Sequence, residues 1–134
     1  MTAQQNVTTG KVKVEVSGDK RFVFEIVRCD MHSPRSLVLQ SWGDEGLELK
    51  IHIAEEHAIE QGVDYKVDGS NQNSAYYKNQ HGQFKVKSGS VKLTTFDLKE
   101  KTILFSFNFT ASDNNDVLKI LSGDRAFQGI NQLS

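Results

Sequence analysis

Several residues in this 134-residue chain have types and spacings that chemistry uses. Cys29 and His32 stand three positions apart around Asp30 and Met31. A thiolate beside an imidazole is half of a metal site, or a nucleophile with its base. No second cysteine completes a metal set, and His81 would join this pair only through the fold. An inert thiol at the end of a strand is the plainer reading. His52 and His57 flank Glu55 and Glu56 at a separation of five. Zinc proteases need two histidines four apart on one helix face, and His52 falls on the polar side of a predicted strand, so no metal or other cofactor is expected. Ser17-Gly-Asp-Lys20 and Ser112-Asp-Asn114 match fragments of serine-nucleophile enzymes. There the serine opens a helix, whereas Ser17 sits in a predicted hairpin turn. Asp113 and Asp116 offer carboxylates for a calcium ion in the loop Ser112-Asp-Asn-Asn-Asp116. That loop lacks the spacing of an EF-hand, and its residues are ordinary turn formers.

A more specific pattern is aromatic. Trp42, Tyr65, Tyr76 and Tyr77 accompany the amides Asn71, Asn73, Asn79 and Gln80 and the imidazole of His81. Ring faces stack on the apolar face of a sugar while amides bond its hydroxyls. Trp42, Tyr65, Tyr76, Tyr77, Asn79 and His81 are therefore the ligand-binding candidates, centred on the 71–81 loop. The competing expectation is structural: neighbours on a strand point to opposite faces, so one of Tyr76 and Tyr77 belongs to the core, and Trp42 with it.

The elements that position these residues are legible as alternation. Ile103, Phe105, Phe107 and Phe109 occupy every second position, with Leu104, Ser106 and Asn108 between. A period of two marks a strand with one buried face. The same pattern runs through Val12–Val16, Arg21–Cys29, Ser36–Trp42 and the segment Leu47, Leu49, Ile51 and Ile53. Shorter strands are predicted at Val63–Val67, at Tyr76–Tyr77 as an edge, at Phe84–Val86, at 89–97 and at Val117–Leu121, with a closing strand near Phe127. Asp30–Pro34 reads as a loop. Residues 54–61 (AEEHAIEQ) read as a short crossover helix stopped by Gly62. About nine short strands with glycine turns predict an all-β fold: one antiparallel β-sandwich or flattened barrel. Residues 1–9 are expected to be a flexible segment before a single domain, 10–134.

Charge excludes some functions. The formal net charge of −1 does not suit a nucleic-acid binder, which needs a basic field to release counterions. Lys11, Lys13, Lys85, Lys87 and Lys92 fall on polar faces of predicted strands and read as a solvated surface. One cysteine forms no intramolecular disulfide, and the polar N-terminus has neither the charged nor the apolar region of a signal peptide. No apolar run reaches the length of a membrane span. A cytoplasmic location is expected over an exported one.

The order Gly89-Ser-Val-Lys-Leu-Thr-Thr-Phe-Asp97, Ile103-Leu-Phe-Ser-Phe-Asn-Phe-Thr-Ala111, Val117-Leu-Lys-Ile-Leu-Ser-Gly123 and Phe127-Gln-Gly129 resembles small uncharacterised β-sandwich domains of bacterial lipoproteins, mostly from Bacteroidetes. Gly62-Val-Asp-Tyr65 resembles a G-x-x-Y element of the same domains. The resemblance covers about residues 35–130 and implies a β-sandwich. It differs at Ile103-Leu104, where those domains have Gly-Thr. Those domains have no established activity, so no functional residue carries over.

The expected function is a noncatalytic binding or interaction module for a protein, glycan or small ligand. The glycan reading uses the 71–81 loop. A hydrolase-like enzyme built on Cys29, His32 and His81 is the remaining alternative. The chain is expected to be a monomer, or a dimer paired through the edge at Tyr76 and Tyr77.

Overall fold

The computed structural model describes residues 7–17, 21–68 and 72–132. In chain order the strands are β1 (Thr9–Gly10), β2 (Val12–Val16), β3 (Arg21–Phe24), β4 (Ile26–Ser33), β5 (Ser36–Trp42), β6 (Glu48–Ala54), β7 (Asp64–Lys66), β8 (Ser74–Asn79), β9 (Gly82–Asp97), β10 (Thr102–Ser112), β11 (Leu118–Gln128) and β12 (Asn131–Gln132). A 3₁₀ turn, Asp44–Gly46, is the only helical element among the described residues. The expected all-β class is the observed one, with more strands than nine.

All twelve strands join one mixed sheet that curls into a half-barrel around the core. The hydrogen-bonding order is β12-β4-β5-β6-β8-β9-β10-β11-β2-β3, with β1 on β11 and β7 on β9. Only β12 runs parallel to its neighbour, β4. β3 closes one end of this order and β4 is next to last at the other, yet the two are separated in sequence by Glu25 alone. One stretch of chain thus pairs with β2 through its first half and with β5 through its second.

The core follows the alternation. Leu49, Ile51 and Ile53 of β6 and Ile103, Phe105, Phe107 and Phe109 of β10 are buried. Phe105 meets Phe127 edge-on with ring centres 5.1 Å apart, and Phe107 stacks on Phe109 at 5.1 Å. At Gly123, opposite Phe107, any side chain would collide with the Phe107 ring at 2.7 Å and with the Lys13 carbonyl at 2.2 Å.

The structure corrects several expectations. Residues 54–61 form no helix. Ala54 closes β6, and the backbone N–H groups of Glu55 and Ile59 donate to the carbonyls of Arg35 and Pro34. Those N–H groups are taken by another segment. Ile59 is the only buried side chain from Glu55 to Glu60 and gives a helix no stripe to bury. Asp30–Ser33 is strand, not loop, because β4 runs on to a tight turn at Pro34-Arg35. The Tyr76–Tyr77 segment is interior, between β6 and β9, so pairing of two copies there has no free edge to use. Val7–Gly10 belongs to the domain: the Val7 N–H donates to Asn131 Oδ1, Thr8 is buried, and β1 pairs with β11. The remainder of the expected flexible segment, 1–6, lies outside the described residues. So do Asn71 and residues 18–20 of the Ser17–Lys20 turn.

Candidate functional site

The sheet's outward face across β4, β5, β6, β8 and β9 carries two of the aromatic candidates, Trp42 and Tyr76. Inward alternation fixes this. Leu37, Leu39, Leu49, Ile51, Ala75, Tyr77, Phe84 and Val86 fill the core, so their neighbours point out. Cross-strand register then aligns those neighbours in transverse rows. One row is Ile26, Trp42, Glu48, Lys78 and Gln83. The next is Arg28, Gln40, Lys50, Tyr76 and Lys85, reaching Ser112 of β10. Trp42, Gln40, Glu48, Lys50 and Tyr76 are each half-buried by their neighbours on this face.

Tyr76 ties the two rows together. Its hydroxyl donates to Glu48 Oε2 at 2.5 Å. Desolvation, with the Glu48 hydrogen bond and charge, pushes its ionisation up to about 12, so Tyr76 stays a neutral donor at any physiological pH. Glu48 lies directly opposite Trp42 on the neighbouring strand. The carboxylate therefore sits between two aromatic side chains on one surface.

The other aromatic candidates are structural. Tyr77 is fully buried against Phe84, with ring centres 6.1 Å apart. Tyr65 is buried, and its hydroxyl accepts the Glu60 N–H at 2.8 Å, fixing the irregular 55–63 segment. Burial raises its ionisation above the ordinary tyrosine value. Asn73 is also a tether: its side chain accepts the Ala54 N–H and donates to Glu55 and to the Lys66 carbonyl. Asn79 and His81 sit at the tip of the β8–β9 hairpin, just beyond the Trp42 row. There Asn79 Oδ1 accepts the His81 N–H at 2.8 Å and closes the turn.

The hairpin tip faces the 112–117 loop across a cleft of ≈ 420 Å³, lined by His81, Gln83, Lys85, Lys87, Asn114 and Asn115 among others. Asp113 belongs to this cleft, but its Oδ1 accepts the N–H groups of Asn115 and Val117, both at 2.9 Å. That carboxylate shapes its own loop, and Asp116 follows with a left-handed φ of 59°. No group of three or more metal-ligating side chains forms among the described residues. A second groove of ≈ 480 Å³ opens outward over β2, β3, β10 and β11. Its Arg21 is held by Glu15 at 2.6 Å.

Cys29, His32 and His81 do not meet. Cys29 points into the core at 0 % exposure, and burial, then Asp30, drives its thiol far above its ordinary ionisation. His32 is exposed on the same strand, and His81 stands at the opposite end of the sheet face. Sequence reasoning missed one contact: His52 Nε2 lies 3.2 Å from Ser36 Oγ. Burial first, then Lys50 and His32, lowers the His52 pKa, which favours a neutral ring.

No family model, curated protein or solved structure matches this chain.

Proposed function

We propose that the protein is a noncatalytic binding module whose ligand is a glycan, held on the outward face of β5, β6 and β8. One observation carries this reading: Trp42 and Tyr76 share that face on either side of Glu48, with the Tyr76 hydroxyl committed to the carboxylate. Half-exposed rings offer a sugar an apolar surface, and Glu48 and Gln40 offer its hydroxyls hydrogen-bond partners. The sequence pattern centres the site on the 71–81 loop. Here it moves to the sheet, and Asn79 and His81 border it. The noncatalytic part rests on the buried Cys29 thiol and on the separation of Cys29, His32 and His81.

Affinity electrophoresis through gels cast with a panel of neutral and acidic polysaccharides tests the reading. Retardation by at least one polymer is expected, lost in Tyr76→Ala with little change in melting temperature. Free migration through every gel would overturn it. A protein partner is the second reading, favoured by the exposed Val117, Leu118 and Ile120 of the β11 end. It predicts a stoichiometric co-purifying protein that Leu118→Asp releases.

A further inference from the structure

The groups around Tyr76 fit one class of glycan better than the others. We infer that the ligand is a linear acidic polysaccharide whose carboxylates seat on Lys50 and Lys85, an inference that rests on the glycan reading above.

Tyr76 stands between two lysines in its transverse row, with Lys50 directly opposite on β6 and Lys85 directly opposite on β9. Neighbouring strands lie about 4.8 Å apart, so the two lysine backbones bracket the tyrosine across roughly 10 Å. That span is comparable to alternate sugars of an extended uronate chain. Neither lysine has an ion-pair partner among the described residues. Arg28 at the end of the row is different, because Asp30 neutralises it with two hydrogen bonds at 2.8 and 2.9 Å. The two free charges are thus centred on the aromatic ring. A lone surface lysine commonly serves solubility alone. Here two flank a half-buried ring, with the amides of Gln40 and Gln83 in the same and the adjoining row. Lys85 also lines the cleft that holds Lys87, His81 and Asn114, which extends the row toward β10.

Glu48 separates this surface from a nucleic-acid site. A phosphodiester lying over Trp42 and Tyr76 would meet its like charge, whereas sugar hydroxyls donate to it. A uronate chain carries both functions, hydroxyls for Glu48 and carboxylates for the lysines.

The test compares oligogalacturonate with the same oligomer methyl-esterified, by calorimetric titration at low salt, with alginate oligomers and poly(dT) alongside. Esterification removes the charge and keeps the sugar backbone. The expected result is about tenfold tighter binding of the free acid, because each exposed charge contact contributes modestly, and this preference fades as salt rises. Lys50→Met and Lys85→Met should each remove much of the preference and leave the melting temperature unchanged. Equal binding of the two forms, lost in Tyr76→Ala, would overturn this inference and leave the glycan reading standing. Binding of neither acidic oligomer, with retardation by a neutral polysaccharide, would do the same. Lysine-dependent binding of poly(dT) alone would overturn both.

Discussion

At the scale of single residues, alternation decided which aromatic candidates are available to a ligand. Tyr76 and Tyr77 are adjacent, and the strand sends one out and one in. The sequence limits the pair to one inward ring but does not say which, since that depends on whether Ala75 or Ser74 shares the buried face. Trp42 was a candidate for both core and ligand, and it points out because Leu37, Leu39 and Ser41 take the inward positions of β5. Lys85 reads as an ordinary surface lysine in one dimension, and Lys50 as a polar position between Leu49 and Ile51, because their common row with Tyr76 exists only through register. The same outward face predicts a pH response at His52. Its lowered pKa means the unfolded chain binds a proton that the folded chain resists, so stability rises with pH through that window. Acidification below about 6.5, the ordinary histidine value, should therefore lower the denaturation midpoint, and His52→Gln should lessen the drop. Urea titrations at a series of pH values check this. An identical pH response in the variant would show that His52 is not responsible. In the core, Phe105→Ala and Phe107→Ala should each cost about 3–5 kcal/mol, measured by chemical denaturation. A loss under about 1 kcal/mol would mean the ring is not packed as described.

At the scale of elements, the long strands explain what the sequence concealed. Phe84 and Val86 point inward on even numbers, while Val91 and Leu93 point inward on odd ones. That change of phase reads as a turn between two strands. The molecule absorbs it inside β9, where the register with β10 slips between Ser88 and Val86 and leaves Lys87 as the extra residue. Gly89 follows with a φ of 135°, and a side chain there would lie 2.0 Å from the Asn108 carbonyl oxygen. Gly89→Ala should therefore destabilise by about 1–3 kcal/mol or more, from backbone strain and collision together. A neutral substitution would deny the close approach of β9 to β10. The segment 54–61 misled for a related reason. Its local composition suits a helix, but the Glu55 and Ile59 N–H groups are claimed by Arg35 and Pro34, residues distant in sequence. Asn73 helps hold this segment to β6 and β7. Asn73→Ala should cost about 1–3 kcal/mol, since it strands buried partners, and should speed amide hydrogen exchange at Ala54. Unchanged exchange there would mean that the tether is unimportant.

At the scale of the whole molecule, the half-barrel gives the protein two chemically different surfaces. The inner one is apolar and filled by phenylalanines, leucines, isoleucines and valines. The outer one presents Trp42, Glu48, Lys50, Tyr76 and Lys85 on adjacent strands that are paired on both sides. Strands held on both edges are a rigid support, and rigidity lowers the entropy lost when a ligand is ordered. The all-β class was legible in the sequence because it follows from local alternation. The site was legible only in part, because its rows join residues from Ile26 to Ser112 through pairings that no local pattern records.

Trp42 is the only tryptophan in the chain and stands on the proposed ligand face. Its fluorescence therefore reports on that face alone. Titration with oligogalacturonate, alginate and neutral oligosaccharides is the most direct measurement of the central claim. A saturable change in intensity or emission wavelength with at least one of them, abolished by Tyr76→Ala, is the predicted result. An emission spectrum unmoved by every oligosaccharide at millimolar concentration would contradict it.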